Sequence, residues 1–340
     1  MSPAGSSRFA GSFASSLAGL LPFAALLLIP AATANPYVIF VITAALFYSM
    51  VALGLNVIVG LSGIWQLAQA AFLAVGGYTA GFLAKEYGIS LWIGIPAGAV
   101  VAALLSILLA LPTLRLRDEY LMIATLNFGI IAQILMTNLD QFTGGTAGMS
   151  AIPPITIPWW SNDAGLTLTG AVRPDQQYYV VLIGFVVTWL IVKRLQASPM
   201  GRALRAMRDD EIVAQTMGQN TLRLRLIAFA IGCGLAGLAG GIFVARFQSI
   251  SPAAAGLNNS VLYLAMVIVG GSGNLLGVIV GASILSTLPE LLRDLEKYRL
   301  LVYGGILVAT MVFRPQGLFP ERMRSYVGGR AIPAARQGER

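Results

Sequence analysis

The sequence predicts an all-α polytopic membrane protein with about ten transmembrane helices, within a range of about eight to ten. The 340-residue chain is 57% hydrophobic and only 11% charged, whereas soluble domains carry about 25% charged residues. Long uncharged runs recur along the chain. The first, over residues 9–84, has room for about three crossings of roughly 20 residues each. An outer-membrane barrel would instead show short segments in which polar and apolar residues alternate.

The apolar runs place the transmembrane helices in order within a membrane domain over residues 17–313. The first run follows a single basic residue, Arg8. We expect it to be retained as a helix, with a cleaved signal peptide as the alternative. The eighth and ninth runs are short, so they are either two steeply packed helices or the halves of one broken or re-entrant element. The predicted spans are 17–34, 37–60, 65–84, 90–113, 120–138, 177–195, 222–247, 259–271, 275–289 and 299–313.

Basic residues predict which helix ends face the cytoplasm, because short cytoplasmic loops are rich in Lys and Arg. Residues 193–225 contain seven Lys and Arg, and the chain after Phe313 contains six. Residues 139–175, by contrast, contain only Arg173. We therefore expect both termini to be cytoplasmic. The predicted cytoplasmic parts are the N-terminal segment 1–16, the loop 196–221 and the basic tail 314–340, and the predicted outer loop is 139–176.

The residues that enzymes and ion-coupled transporters use for chemistry are scarce in this chain. There is one cysteine, Cys233, and no histidine, which excludes an internal disulfide, His-based zinc sites and Cys–His nucleophiles. No lysine follows a glycine, so the phosphate-binding loop G-x(4)-G-K-[ST] is absent from the sequence. No carboxylate lies inside a predicted span, which disfavours an ion-coupled secondary transporter. We expect a non-enzymatic chain that binds no metal or cofactor of its own.

Residues 198–220 form the only long, highly charged helical segment, and we call this segment the elbow. Ser198 suits an N-cap and Pro199 suits the first helical position. Asp209 is expected to cap a second short helix, which Gly218 can end in a left-handed turn. On this evidence alone, the elbow is either a docking element for a soluble partner or an amphipathic helix on anionic lipid.

An internal echo links the two halves of the chain. Residues 57–63, VIVGLSG, match residues 267–273, VIVGGSG, at six of seven positions. Paired glycine-interrupted spans indicate a binding or translocation region in transporters. The alternatives are coincidence in a chain rich in glycine and valine, or close helix packing by small residues. Whether the echo marks a true internal repeat is left open. The residues predicted to line the pathway are Asn56, Gly60, Gly63, Gln66, Asn127, Gly270 and Gly273.

The seventh predicted span, 222–247, is rich in glycine. Small residues let helix backbones approach closely where lipid provides no hydrophobic drive between helices. We therefore expect this span to be a packing centre, with Cys233 as one of its small residues. Arg246 ends the span near the predicted outer surface and is interpreted as an interfacial anchor, with a solute or partner contact as the alternative. The glycines are Gly232, Gly234, Gly237, Gly240 and Gly241.

The elbow and the span after it resemble the signature of the branched-chain amino acid ABC importer permeases. Other stretches fit in order, so the resemblance covers about residues 35–320. The elements RLRDEYLMIATLNFG and TGGTAGMSAIP resemble the LivM-like subunit of that family. The fitting stretches are 115–129, 143–153, 266–282 and 314–320. The matching elbow positions are Pro199, Gly201, Arg202, Ala203, Arg205, Ala206, Arg208, Glu211, Ala214 and Gly218.

The resemblance implies a permease that works in a larger complex in the bacterial inner membrane. It implies a second, homologous permease subunit, two ATPase subunits that use ATP and Mg, and a periplasmic solute-binding protein. It also makes the elbow a coupling helix that docks on an ATPase, and nucleic acid is not an implied partner. The solute is expected to be a branched-chain amino acid, although residues 126–133 depart from the family pattern. A urea or short-chain amide permease is the alternative. The implied coupling residues are Gly201, Arg202, Arg205, Arg208, Glu211, Ala214 and Gly218.

Overall fold

The computed structural model describes most of the predicted membrane domain. Its three long described stretches are residues 35–113, 118–155 and 174–291. The predicted N-terminal segment, the span 17–34 and most of the span 299–313 therefore lie outside the described residues, as does much of the outer loop and of the basic tail. The remaining described residues are 304–305, 308, 314, 317–319, 326–327 and 330–331.

The described chain is almost wholly helical. The first helix, α1, continues into a π-helical turn, Val57–Leu61, and two 3₁₀ turns cover Gly145–Ala147 and Pro252–Ala255. Two two-residue strands, β1 (Tyr326–Val327) and β2 (Arg330–Ala331), pair antiparallel. The helices are α1 (Pro36–Asn56), α2 (Gln69–Glu86), α3 (Leu91–Thr113), α4 (Asp118–Asn138), α5 (Asp140–Thr143), α6 (Pro174–Ala197), α7 (Pro199–Asp209), α8 (Glu211–Thr216), α9 (Thr221–Phe247), α10 (Leu257–Gly270) and α11 (Leu275–Leu291).

The multi-pass membrane class is confirmed, because five helical stretches of the described chain are long and apolar enough to span a bilayer. The helices α10 and α11 are shorter and also apolar. They are two helices joined by a turn that contains Gly271 and Gly273, an arrangement that fits both interpretations of the eighth and ninth spans. The total of ten spans stays a prediction. The five long stretches are Pro36–Leu61, Leu91–Thr113, Tyr120–Asn138, Gln177–Ala197 and Thr221–Phe247.

Helix α9 is the packing centre of the bundle, and α2 and α3 pack most extensively against it. Gly76, Gly98 and Gly237 meet where these three helices cross. A Cβ atom on Gly237 would lie 2.5 Å from Cβ of Ala102 and 2.8 Å from the carbonyl oxygen of Gly98. Backbones this close exclude any side chain, as the glycine-rich sequence predicts.

A second glycine contact holds α10 against α11. A Cβ atom on Gly270 would lie 2.7 Å from Cα of Val278. The chain near the C-terminus returns to the same place, where the N–H of Leu318 donates to Val269 O at 2.9 Å and that of Phe319 to Gly270 O at 3.2 Å. The turn between α10 and α11 is therefore held from both sides by backbone contacts.

The bundle has two distinct ends. The first, which we call the basic end, carries the elbow, the break after α1 and the turn between α10 and α11. The second, which we call the loop end, carries α5 and the connection from α9 to α10. At the loop end, Met149 and Ile250 exchange backbone hydrogen bonds of 2.8 and 2.9 Å, so the loop after α4 is bound to the chain that leaves α9. The basic-residue count predicts that the basic end is cytoplasmic.

We predict that Gly237→Ala destabilises the protein whereas Gly234→Ala on the same helix does not. A helical Gly→Ala change normally gains about 0.5–1 kcal/mol. At Gly234 the new methyl group would lie 3.3 Å from Cβ of Ala103, a tight contact that a shift of a few tenths of an ångström relieves, but at Gly237 it would overlap Ala102. Overpacking of this kind costs about 1–3 kcal/mol. Thermal unfolding in detergent measures the difference, and equal midpoints for the two variants would contradict it.

Candidate functional site

The two halves of the internal echo meet at the basic end. Asn56 is the last residue of α1, and its fully buried side chain accepts a hydrogen bond at Oδ1 from the N–H of Gly273 at 2.8 Å. Gly273 has a φ of +90°, in the range that favours glycine. The Nδ2 atom of Asn56 is buried and has no hydrogen-bond partner in the structure. A buried amide left half-satisfied costs about 1–3 kcal/mol and often marks a functional position.

Glycine at positions 60 and 63 permits the close approach of the two halves, because a side chain would not fit at either position. A Cβ atom on Gly60 would lie 2.5 Å from the nitrogen of Gly273 and would overlap Oδ1 of Asn56. Gly63 has a φ of +73°, and a Cβ atom there would lie 2.7 Å from Cγ of Arg208. The chain therefore reverses at Gly63, directly against the elbow.

Arg208 of α7 joins the elbow to this broken helix. The last carbonyl groups of a helix have no partners within the helix. The guanidinium of Arg208 supplies one, since Nη1 donates to the carbonyl oxygen of Gly60. Its Nε atom also lies 3.5 Å from Oδ1 of Asp209. A charge-assisted bond of this kind contributes about 1.5–3 kcal/mol.

The first helix of the elbow is fixed to the end of α6. Ser198 is the N-cap, as predicted, and accepts from the N–H of Gly201 at 3.1 Å. Gly201 is buried, and a Cβ atom there would lie 2.9 Å from Cα of Gln196. Arg205 and Arg202 donate to the carbonyl oxygens of Gln196 and Ala197, at 3.0 and 3.3 Å. Cations at the C-terminus of a helix satisfy its free carbonyls and oppose its dipole.

Gln196 completes the connection to the second half of the echo. Its Nε2 atom donates to the carbonyl oxygen of Gly273 at 3.0 Å. Gly273 thus donates to Asn56 and accepts from Gln196. We call the group formed by Asn56, Gly60, Gly63, Gln196, Arg208 and Gly273 the coupling node.

The second helix of the elbow, α8, is capped by Asp210, whose side chain accepts from the N–H of Val213 at 3.0 Å. The expected cap, Asp209, is wrong by one residue, because α7 continues through Asp209 and only Asp210 is extended. The φ of Gly218 is +80°, as expected for the residue that ends the helix. The elbow is therefore two consecutive capped helices, as the sequence indicates.

An ion pair attaches α8 to the bundle. Glu211 accepts from Nη2 of Arg225, whose side chain is largely buried in the second turn of α9. Ala214 packs into the core beside this pair. On the outer side of α8, Ile212 and Met217 are 74% and 77% exposed, and Val213 is also exposed. These three apolar side chains form a surface that we call the α8 patch.

The structure separates the predicted pathway residues into two sets. Asn56, Gly60, Gly63 and Gly273 belong to the coupling node. The other three lie elsewhere. Gln66 is buried with Nε2 3.5 Å from Sγ of Cys233, Gly270 packs in the α10–α11 contact, and Asn127 is exposed on α4 with Nδ2 bonded to Ile123 O at 3.0 Å. The place of all seven residues on a pathway stays a prediction.

The predicted coupling residues also have distinct surroundings. Arg205 and Arg208 reach carbonyl oxygens of this chain, and Glu211 reaches Arg225. Gly201 and Ala214 are buried, whereas Arg202 and Gly218 are exposed. The elbow is thus held to its own bundle by most of the residues expected to contact a partner.

The described ranges contain no group of three or more His, Cys, Asp or Glu side chains that could hold a metal ion.

Sequence reasoning missed Gln196 and Arg225. A glutamine at the end of a membrane helix has no pattern that predicts a bond to Gly273, which lies 77 residues away. Arg225 counts toward the basic loop, but the turn between α8 and α9 decides that it faces Glu211. A basic residue early in a buried helix was the one available signal.

Apolar spans with glycine interruptions, joined to a charged elbow, define a multi-pass membrane transport subunit. The chain belongs to the family described as branched-chain amino acid transport system / permease component, whose model matches residues 37–311. It is 39% identical over 292 residues to the high-affinity branched-chain amino acid transport system permease protein LivM of Escherichia coli K12, covering 82% of this chain and 69% of that protein.

More distant relatives extend the comparison. A probable branched-chain amino acid transport permease protein LivM of Methanocaldococcus jannaschii is 25% identical over 324 residues, which is 81% of this chain and 91% of that protein. The ribose import permease protein RbsC of Haemophilus influenzae is 28% identical over 272 residues, or 73% of this chain and 81% of that protein. No solved structure is a significant match to the chain.

We predict that Gly63→Ala reduces transport by about tenfold or more, whereas Gly88→Ala changes it less than about twofold. Both glycines have positive φ, +73° and +64°, so both substitutions carry similar backbone strain. At Gly63 the new methyl group would displace the side chain of Arg208. At Gly88 it would displace nothing, since no atom lies within 4 Å of a Cβ atom there. A loss of about 1.4 kcal/mol corresponds to tenfold.

Uptake by the assembled complex in vesicles measures this difference, with subunit co-purification as the control for folding. Normal uptake by Gly63→Ala, or equal losses in both variants, would show that the contact with Arg208 has no part in transport.

Proposed function

We propose that this chain is the LivM-like permease subunit of an ATP-driven importer that carries branched-chain amino acids into the bacterial cytoplasm. The observation that carries the proposal is the bond from Arg208 to the carbonyl oxygen of Gly60. It connects the elbow, the part of the chain best suited to a soluble partner, to a broken membrane helix. The family match and the identity to the E. coli protein support the solute class.

The coupling node provides a mechanical route from the elbow to both halves of the bundle. Movement of α7 is transmitted to the α1 break through Arg208 and to the α10–α11 turn through Gln196. Asn56 ties the two breaks together, so they move as one unit. Packed interfaces switch between discrete arrangements rather than deforming continuously. ATP binding and hydrolysis in a partner would then switch the permease between outward-facing and inward-facing states.

The α8 patch is the surface we assign to the ATPase. Two apolar side chains on the six-residue helix α8 and a third at its C-cap, Met217, lie beside a basic segment and are well suited to a groove on a soluble protein. The arginines of the elbow are largely engaged with this chain, so they set the position of the patch. Docking force applied at α8 reaches α9 through the Glu211–Arg225 ion pair.

The complete importer in this proposal contains a second, homologous permease subunit, two ATPase subunits and a periplasmic binding protein. The ATPases use ATP and Mg, and this chain holds no nucleotide. Both termini face the cytoplasm, and the loop end, with residues 139–176, faces the periplasm and receives the binding protein. The solute is set mainly by the protein that delivers it.

We predict that this chain alone neither hydrolyses ATP nor transports leucine, whereas the assembled importer does both. The reason is that the sequence has no phosphate-binding loop, so the energy must come from a partner. The measurement is uptake of labelled leucine, isoleucine and valine by proteoliposomes, with urea as the competing solute class. Uptake by this subunit without ATPase partners, or uptake of urea in preference to leucine, would falsify the proposal.

We predict that Glu211→Lys strongly reduces ATPase co-purification and leucine uptake, whereas Gln219→Lys leaves both within about twofold. The first change places a second cation beside the largely buried Arg225 and breaks the attachment of α8. Gln219 is exposed, so its replacement adds positive charge to the same loop without touching the pair. If the elbow only bound anionic lipid, added cations would strengthen it by about 1 kcal/mol each, and neither variant would lose activity.

A further inference from the structure

Arg246 is a buried cation at the opposite end of α9 from the coupling node. It lies in the last turn of the helix and is only 8% exposed. Its guanidinium carbon is 4.9 Å from the ring centroid of Phe40 and 4.9 Å from that of Phe247. Within the described parts of the chain, its side chain makes no ion pair and no hydrogen bond.

This burial is not what an interfacial anchor requires. Anchoring arginines extend the charged group into water or headgroups, but a Cβ bond in a helix tilts toward the helix N-terminus. For Arg246 that direction is into the bundle. Burying an ion costs several kcal/mol, whereas a ring face contributes about 0.5–2 kcal/mol and the helix C-terminus about 0.3–1 kcal/mol. These contributions do not offset the cost of burying the charge, so the guanidinium can still bind an anion.

The surroundings of Arg246 are aromatic. Phe247 contacts Phe243 at 4.6 Å between ring centroids, and Phe243 contacts Phe47 at 5.7 Å. Phe47 in turn contacts Tyr48 at 5.4 Å, and Tyr48 contacts Tyr263 of α10 at 6.2 Å. Rings thus extend from the loop end into the core. Phe40 and Phe247 are both exposed, so the guanidinium lies directly against side chains at the protein surface.

We propose that Arg246 receives the carboxylate of the transported amino acid at the outer mouth of the pathway. Phe40 and Phe247 would contact its apolar side chain. A planar guanidinium binds a carboxylate through two parallel hydrogen bonds, and ring faces suit a branched aliphatic group. This inference rests on the proposed function, because it takes the loop end as periplasmic and an amino acid as the solute.

The decisive experiment uses the assembled permease–ATPase complex in lipid nanodiscs, without a binding protein. A diazirine analogue of leucine is photolysed on the complex, and the labelled peptides are mapped. We expect labelling of the stretches 40–48 and 243–247. Excess leucine should reduce it at least fivefold, whereas leucinol, which lacks the carboxylate, should not. Labelling that leucine fails to reduce, or that leucinol reduces equally, overturns the proposal.

Variants at Arg246 supply the second measurement. Arg246→Gln should raise the half-saturating concentration of the analogue at least tenfold and abolish the preference for leucine over leucinol. Arg246→Lys should retain part of both. The matched control is Arg223→Gln, which removes a cation from the exposed, opposite end of α9 and should change neither. A preference that survives in Arg246→Gln contradicts the assignment. If that variant does not assemble, the leucine and leucinol comparison on the wild-type complex decides.

Uptake of leucine by the complete wild-type importer, measured in parallel, separates the two proposals. Uptake without leucine-specific labelling overturns the role of Arg246 alone. A complete importer that transports no amino acid overturns the proposed function.

Discussion

Backbone groups exposed where a membrane helix breaks must find partners within the protein, because lipid offers none. The helical stretch that begins with α1 ends after Leu61, and the chain between α10 and α11 turns through Gly271 and Gly273. The groups freed at these two breaks are bound by three side chains, from Asn56, Gln196 and Arg208. Two of these side chains come from the end of α6 and from the elbow. The need to satisfy the breaks therefore fixes the elbow to the bundle.

Close packing at glycine residues makes the bundle to which the elbow is attached rigid. The crossing of α2, α3 and α9 leaves no space for a methyl group at Gly237, and α10 lies against α11 in the same manner. Interiors packed in this way have low compressibility and transmit displacement. In the proposed mechanism, a force on the elbow would therefore move whole helices.

Helix α9 carries a buried arginine near each end, and their environments differ. Arg225, at the basic end, is paired with Glu211 and binds α8 to the bundle. Arg246, at the loop end, lies against two aromatic rings and has no carboxylate beside it within the described chain. The first arrangement satisfies a charge within the protein, and the second leaves one available to a solute. One helix thus connects the attachment of the elbow to the site proposed for the amino acid.

The sequence by itself determined the membrane class, the approximate bounds of the long helices between residues 36 and 291, the two-helix elbow and the family. These features depend on composition and on patterns within short stretches. The sequence also indicated that Asn56, Gly60, Gly63 and Gly273 lie where helices are interrupted, since a broken helix leaves a glycine pattern within a short stretch of sequence. Only the tertiary structure decided that Asn56 bonds to Gly273, 217 residues away, and that Arg208 reaches Gly60, 148 residues away. The tertiary structure likewise placed Asn127 on an exposed helix face and buried the side chain of Arg246. Periodicity defines the faces of a helix, but which face meets which neighbour depends on how all the helices pack together.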